Sequence, residues 1–209
     1  MQNREILIRR ALVLFRRYGV RKMSVEELTR SLKISRKLLY AQFGDKEGLL
    51  SDCLSLNYQE EIHAFEKLKN NDYDAIELFM LAADQVVERE LNTNPSFYLD
   101  ILHYYPDLRD RAIKKKDNFN RVILASMLTA GIRQGLVRPD TNTQLAARSI
   151  IFLYEENLRA LSPSQSTLEK SKTIREAIRP YLRGLCTPTG VARLEDIIAK
   201  LRTTQKTDL

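Results

Sequence analysis

Residues 24–50, SVEELTRSLKISRKLLYAQFGDKEGLL, carry the pattern that decides the fold of the chain. They predict two short helices joined by a tight turn, followed by the start of a third helix. Ser24 with Glu27 three residues later has the spacing of a capping box, which begins a helix. Lys33 lies in the turn, and Ser35 is placed to cap the second short helix. The stretch therefore has the layout of a helix-turn-helix.

The second short helix is predicted to have one buried and one exposed face. Leu39 and Phe43 lie one turn apart and face inward, so Arg36, Lys37 and Tyr40 fall on the outer arc. In a helix-turn-helix the second helix enters the DNA major groove, and residues near its N-terminus reach the base edges. Basic helices of this length also occur as ordinary solvated surfaces, so periodicity and charge leave both interpretations equally open.

The positive charge of the chain is concentrated near its N-terminus. The formal net charge is +7, and residues 1–50 hold 12 Lys and Arg against 5 Asp and Glu. Residues 51–209 hold 22 of each sign, so all of the excess lies in the first quarter of the chain. A basic segment joined to a neutral one indicates a polyanion contact confined to the N-terminal part.

The chain as a whole favours helices. Apolar residues recur with a period near 3.6, hairpin turns of the Asn-Gly or Asp-Gly type are absent, and there are only 7 glycines and 6 prolines. We therefore predict an all-α protein with an N-terminal three-helix domain and a larger C-terminal helical domain. The composition is that of a soluble protein, and no apolar run approaches the ~20 residues needed to span a bilayer. The N-terminus lacks a signal-peptide pattern, so a cytoplasmic location is expected.

Motifs for catalysis and metal binding are missing from the sequence. It contains no phosphate-binding glycine loop, no nucleophile elbow and no zinc-ligand spacing. Two histidines, His63 and His103, and two distant cysteines, Cys53 and Cys186, do not make a tetrahedral zinc set. The prediction is a protein without enzyme activity, metal or cofactor, and a small helical enzyme is the least favoured alternative.

Residues 7–50 resemble the N-terminal domain of the TetR (tetracycline-repressor-like) family of bacterial regulators. Three segments carry the resemblance, each through several residues at fixed spacing. They are Leu7-x3-Ala11-x2-Leu14-Phe15-x3-Gly19, Ser24-Val25-x2-Leu28 and Ile34-Ser35-x3-Leu39-Tyr40-x2-Phe43-x2-Lys46-x2-Leu49-Leu50. The resemblance covers about a fifth of the chain. It implies a DNA-binding domain over residues 1–50 and a helical effector-binding and dimerisation domain over residues 51–209.

The resemblance also implies which residues touch DNA, mostly at phosphates. The positions that match contacting residues of the family are Ser24, Ser35, Arg36, Lys37, Tyr40 and Lys46. Two departures from the family pattern add candidates. Lys33 replaces the usual turn glycine and is a further phosphate candidate, at a cost of roughly 1 kcal/mol if the turn is left-handed. Gln42 replaces a frequent histidine and retains a hydrogen-bond donor without a charge. Thr29, in place of the usual alanine between the two helices, slightly widens their contact.

For the C-terminal domain the resemblance implies a ligand cavity and a dimer face. Aromatic residues are candidates for the lining of an effector pocket: Phe79, Phe97, Tyr98, His103, Tyr104 and Phe119. Ordinary core packing is the favoured alternative for any one of them. Two late helices are expected to form a four-helix bundle with those of a second copy, through Leu145, Ile150, Leu153, Ile174, Ile178 and Leu182.

Together these expectations describe a homodimeric, ligand-responsive transcriptional regulator, most commonly a repressor, that binds a palindromic double-stranded operator. A small-molecule effector would act by shifting the helix that begins at Lys46. The alternative is a helical ligand- or partner-binding protein whose DNA-binding module is weak or vestigial. No membrane partner is expected.

Overall fold

The computed structural model describes residues 4–161, 165 and 167–207, and it confirms the predicted all-α class. The helices in these ranges are α1 (Arg4–Tyr18), α2 (Val25–Leu32), α3 (Arg36–Phe43), α4 (Lys46–Lys69), α5 (Ala75–Leu91), α6 (Pro95–Tyr104), α7 (Pro106–Arg133), α8 (Thr143–Arg159), α9 (Thr167–Leu185) and α10 (Pro188–Thr207). Within the same ranges the extended structure amounts to one isolated bridge between Val137 and Cys186. None of the described helices has the length and apolar character required to cross a bilayer.

The chain folds into two compact units that are not continuous in sequence. Unit 1 comprises residues 1–64 and 92–116, and unit 2 comprises residues 65–91 and 117–209. Packing therefore assigns residues 51–64 and 92–116 to the same unit as the helix-turn-helix. The functional boundary expected at residues 50 and 51 stays a prediction, and it does not coincide with this division by packing.

The core of unit 1 is built from the apolar faces of α1, α2 and α3 together with parts of α4, α6 and α7. Leu7, Phe15 and Leu39 are fully buried there, as the sequence pattern predicts. Phe97 and Ile101 of α6 belong to the same core. Burying side chains of this size contributes about 1.5–3 kcal/mol each, so α6 is an integral part of unit 1.

Backbone hydrogen bonds fix α6 to the end of α1. The backbone N–H of Asn94 donates to the carbonyl of Arg16 at 2.8 Å, and the Asn94 side-chain amide donates to the carbonyl of Arg17 at 3.2 Å. The Asn94 side-chain oxygen accepts from the N–H of Ser96 and so caps α6. Gly19 follows α1 with φ +84°, and a Cβ there would lie only 2.9 Å from the Ser96 Cβ. Asn94 thus provides hydrogen-bond partners for the last carbonyls of α1 and for an N–H group at the start of α6. Gly19 lies so close to Ser96 that a side chain at position 19 would collide with it.

Unit 2 has its own core, formed by α5, the second part of α7, α8, α9 and α10. Phe79, Met80, Leu128, Ala147 and Leu194 are among its buried side chains. A smaller cluster joins α5 to α9 and α8, with Val87, Ile174 and Ile178 buried.

Arg193 of α10 adds a charged contact within unit 2. Its guanidinium donates to Asp74 at 2.6 Å and to Glu77 at 2.5 Å, which ties α10 to the start of α5. Asp74 also accepts from the backbone N–H groups of Ile76 and Glu77 at 2.9 and 3.0 Å. The beginning of α5 is therefore held both by a cap and by an ion pair.

Candidate nucleic-acid interface

The capping residues predicted for α2 and α3 adopt the predicted geometry. The Ser24 side chain accepts from the N–H of Glu27 at 3.2 Å, and the Glu27 carboxylate accepts from the N–H of Ser24 at 2.8 Å, which completes the capping box. Ser35 accepts from the N–H of Leu38 at 3.1 Å. Both helices thus begin where the sequence indicates, and the Ser35 hydroxyl can still donate to a further acceptor.

Lys33 occupies the left-handed conformation that the family resemblance would give to glycine. Its φ and ψ are 56° and 49°, and it is the one non-glycine residue with positive φ among the described residues. The N–H groups of Lys33 and Ile34 reach back to Arg30 and Thr29 at 3.3 and 3.0 Å, which closes the end of α2. The turn therefore keeps its left-handed shape despite the substitution, and the Lys33 side chain is exposed.

Helix α3 presents the predicted outer face. Leu39 is fully buried and Phe43 is 8% exposed, whereas Arg36, Lys37 and Tyr40 are exposed. Three groups able to donate hydrogen bonds, two of them cationic, therefore share one side of a short helix whose other side anchors it to unit 1. This arrangement suits insertion of the helix into a groove lined by phosphates and base edges.

Two predicted residues are less available than the sequence indicates. Lys46 is half-buried, and burial lowers the pKa of its ammonium group, while the charges of Asp100 and Glu27 act in the opposite direction. Gln42 is also half-buried, and its side-chain oxygen has no hydrogen-bond partner among the described residues. Both remain predicted DNA contacts, with less exposure than Lys37 or Tyr40.

Part of the N-terminal positive charge is used in ion pairs and hydrogen bonds within the chain. Arg4 pairs with Asp52 at 2.5 Å, Arg9 pairs with Glu60 at 2.6 Å, and Arg16 donates to Asn57. The acidic partners Asp52 and Glu60 lie on α4, beyond residue 50. Counting charge up to residue 50 thus overstates the positive charge that is free to contact a polyanion.

The structure divides the six predicted effector residues between the two units. Phe97 is 1% exposed in the core of unit 1, while Tyr98, His103 and Tyr104 are exposed on α6 of the same unit. The Arg21 guanidinium lies over the Tyr104 ring, 5.4 Å from its centroid. Phe79 and Phe119 belong to unit 2.

Phe79 lines an apolar cavity of about 30 Å³ in unit 2, together with Met127, Leu128 and Cys186. A cavity of that size holds only water-sized molecules, so a larger ligand requires the cavity to open. The role of all six residues in ligand binding stays a prediction.

The predicted dimer residues also differ in exposure. Ile150, Ile174 and Ile178 are at most 8% exposed in the core of the single chain, and Leu153 and Leu182 are half-buried against the same clusters. Leu145 alone of the six is well exposed, at 52%. Apolar helix faces indicate burial but do not distinguish an intrachain partner from a second copy, which explains the breadth of the predicted set.

Two residues of interest were not among the predicted sites. Phe152 is the most exposed large apolar residue described, at 62%, and it lies on α8 two turns after Leu145, on the same face. Its exposure contrasts with the buried Ile150, and the helical period from Leu145 would have found it. Glu26 forms an ion pair with Arg36, and no local spacing signals this contact because the turn brings the two together.

The comparisons with known proteins agree with this geometry. Residues 7–53 match the family model described as bacterial regulatory proteins, tetR family. A search of curated protein sequences found no significant match.

Solved structures match over most of the chain. A gamma-butyrolactone receptor described as ArpA-like aligns with TM-score 0.72 and 19% identity over 96% of both chains. The TetR family protein CprB from S. coelicolor A3(2) aligns with TM-score 0.68 and 20% identity over 96% of both chains. A TetR-family transcriptional regulator from Cytophaga hutchinsonii aligns with TM-score 0.70 and 16% identity over 88% of this chain and 94% of that chain. Residues 7–53 thus match the tetR family model, and over nearly its whole length the chain shares its fold with solved structures of TetR-family regulators.

Proposed function

We propose that the protein is a ligand-responsive transcriptional regulator, acting as a repressor, that binds a palindromic DNA operator as a homodimer. One observation carries the proposal: α3 buries Leu39 and Phe43 in unit 1 and exposes Arg36, Lys37 and Tyr40 together. Such a face, at the start of the second helix of a helix-turn-helix, suits contact with phosphates and base edges.

The DNA-binding part of the proposal is tested by selection from random double-stranded DNA, followed by affinity measurements on the selected site. Affinity is expected to fall by several orders of magnitude between about 50 and 200 mM salt, because phosphate contacts release counterions. Tyr40→Phe and Lys37→Ala are expected to weaken binding to all sequences, and Lys37→Ala is also expected to reduce the salt slope by about one. Lys69→Ala, at the far end of α4, is the matched charge control.

Two outcomes would contradict the proposed binding of a palindromic operator. Weak binding without sequence preference, unchanged by Lys37→Ala, would favour the alternative of a helical partner-binding protein with a vestigial DNA module. Recovery of an asymmetric site would contradict the palindromic operator.

The dimer is proposed to form through the exposed face of α8, where Leu145 and Phe152 lie. Two large apolar side chains in line on one helix leave apolar surface open to water, and a second copy would cover it. Phe152→Ser is expected to shift the protein toward monomer in sedimentation equilibrium and to lower operator affinity. Val122→Ser on α7, which is 57% exposed in the single chain, is the control and should leave the assembly unchanged.

The effector is proposed to bind in unit 2 at the apolar cavity that Phe79 lines. The cavity is small and almost wholly apolar, so the ligand would be mainly apolar and would enlarge the site on binding. Gamma-butyrolactones are the first compounds to test, since a receptor for them shares the fold. Release of operator DNA by a compound in the parent protein, and loss of that response in Phe79→Ala, would support the site. Release unaffected by Phe79→Ala would place the ligand elsewhere.

A further inference from the structure

Arg36, the residue at the start of α3 expected to reach base edges, is not free in solution. Its terminal nitrogen Nη2 donates to the Oε1 atom of Glu26, on the first turn of α2. Both side chains are more than half exposed, at 58% and 51%. The contact therefore lies on the surface that carries the exposed face of α3.

The two neighbouring glutamates of α2, Glu26 and Glu27, make different contacts. Glu27 is fully used in the capping box, where its carboxylate accepts from the N–H of Ser24. The Glu26 carboxylate contacts Arg36, and the Ser24 hydroxyl also interacts with it. The backbone N–H of Glu26 and the Ser24 hydroxyl lower the pKa of the Glu26 carboxyl, as does the charge of Arg36. Glu26 is thus held as an anion beside the guanidinium across neutral pH.

An exposed ion pair of this kind contributes little to folding, because water and salt screen it. The ion pair also restricts the direction in which the Arg36 side chain points. A guanidinium has five N–H donors, and one held by a carboxylate leaves a second edge free for the O6 and N7 acceptors of guanine. Fixing a long side chain before binding also reduces the entropy lost on complex formation.

The geometry points to Glu26 as a positioning residue that sets sequence specificity by orienting Arg36 toward a base edge. This inference rests on the proposed function, since it requires α3 to enter the major groove. Glu26 also places a negative charge close to the phosphates, so it disfavours binding in which Arg36 only meets the backbone. A carboxylate in this position therefore raises discrimination at the base pair that Arg36 reads, while it lowers affinity for DNA in general.

The test compares site selection by the full-length parent protein and by Glu26→Gln, Glu27→Gln and Arg36→Ala. Glu27→Gln is the matched control: it makes the same charge change in the same helical turn, and glutamine retains the capping box. We expect Arg36→Ala to flatten the preference at one base pair of each half-site. Glu26→Gln should reduce the preference at that same base pair about tenfold, the size of one good arginine–base contact, and should raise affinity for unrelated DNA. Glu27→Gln should keep the parent preference.

Each other outcome identifies what fails. If the parent selects no sequence, the proposed function fails and the inference with it. If Glu26→Gln raises affinity for every sequence without changing the preference that Arg36→Ala alters, or alters different base pairs, Glu26 does not position Arg36. If Arg36→Ala leaves the preference intact, Arg36 is not a base reader and the inference is overturned.

Discussion

Replacing Lys33 by glycine is expected to stabilise unit 1 while weakening DNA binding. Lys33 holds φ 56° and ψ 49° in the turn between α2 and α3, and its side chain is exposed. A side chain in this region brings Cβ close to the following carbonyl oxygen, whereas glycine adopts it without that contact. Because the Lys33 side chain is exposed, the exchange removes little packing.

The magnitude follows from two opposing effects. The left-handed conformation costs a non-glycine residue roughly 1–2 kcal/mol. Glycine in turn loses more backbone freedom on folding, by about 0.5–1 kcal/mol. The net gain for Lys33→Gly is therefore about 0.5–1 kcal/mol, which corresponds to a rise in Tm of about 1–4 °C for a chain of this size.

Lys33→Ala separates the backbone effect from the loss of charge. Alanine retains the Cβ and its strain, so the Tm of the Lys33→Ala protein should stay within about 1 °C of the parent. Both variants should lose the same DNA affinity if Lys33 contacts a phosphate. Thermal unfolding followed by circular dichroism, with urea unfolding as a second measure, gives the comparison. A Lys33→Gly protein no more stable than Lys33→Ala would refute the strain argument.

Three further predictions concern the fold itself. Gly19→Ala should lower the free energy of unfolding by about 2 kcal/mol or more, since its Cβ would lie 2.9 Å from the Ser96 Cβ at φ +84°; an unchanged Tm would contradict this close approach. Burial alone would raise the pKa of Asp74, but nearby N–H groups and the Arg193 guanidinium outweigh it and lower that pKa. The stability from this carboxylate is thus present above its unfolded pKa and is lost as pH falls through the lower folded value. Asp74→Asn should cost about 1–2 kcal/mol near neutral pH and make stability fall less steeply with acid, measured as Tm against pH; an identical acid profile would count against the ion pair. Burial raises the pKa of the Cys53 thiol, so it should react with a thiol reagent only on unfolding; prompt labelling of the native protein at this residue would contradict its burial.

Local signals in the sequence predicted the helix-turn-helix closely. Ser24, Glu27 and Ser35 act through hydrogen bonds to residues three positions away, so their effect is visible without knowledge of the fold. The predicted start of α2 after Ser24 and end of α3 at Phe43 are confirmed by the structure. The exposed face of α3 was predicted from the helical period of 3.6 residues, because Leu39 and Phe43 fix which face is buried.

Long-range partners were not predictable in the same way. An apolar stripe on a helix says that something covers it, but not which element does so. Phe97 therefore qualified as a pocket residue and lies in the core of unit 1, while Ile174 qualified as a dimer residue and lies in the core of the single chain. The contact of Glu26 with Arg36 depends on the angle between two helices, which no spacing in the sequence encodes.

The attachment of α6 to the end of α1 has a consequence for how unit 1 is made. Its core needs Phe97 and Ile101, so residues 1–64 lack part of their own interior. On a ribosome, this unit cannot complete its packing until the chain beyond Leu108 has emerged, after the first helix of unit 2 has already been synthesised. A recombinant fragment cut after residue 64 would expose the apolar surface that α6 normally covers, whereas one that carries residues 92–116 as well would contain every segment of the unit.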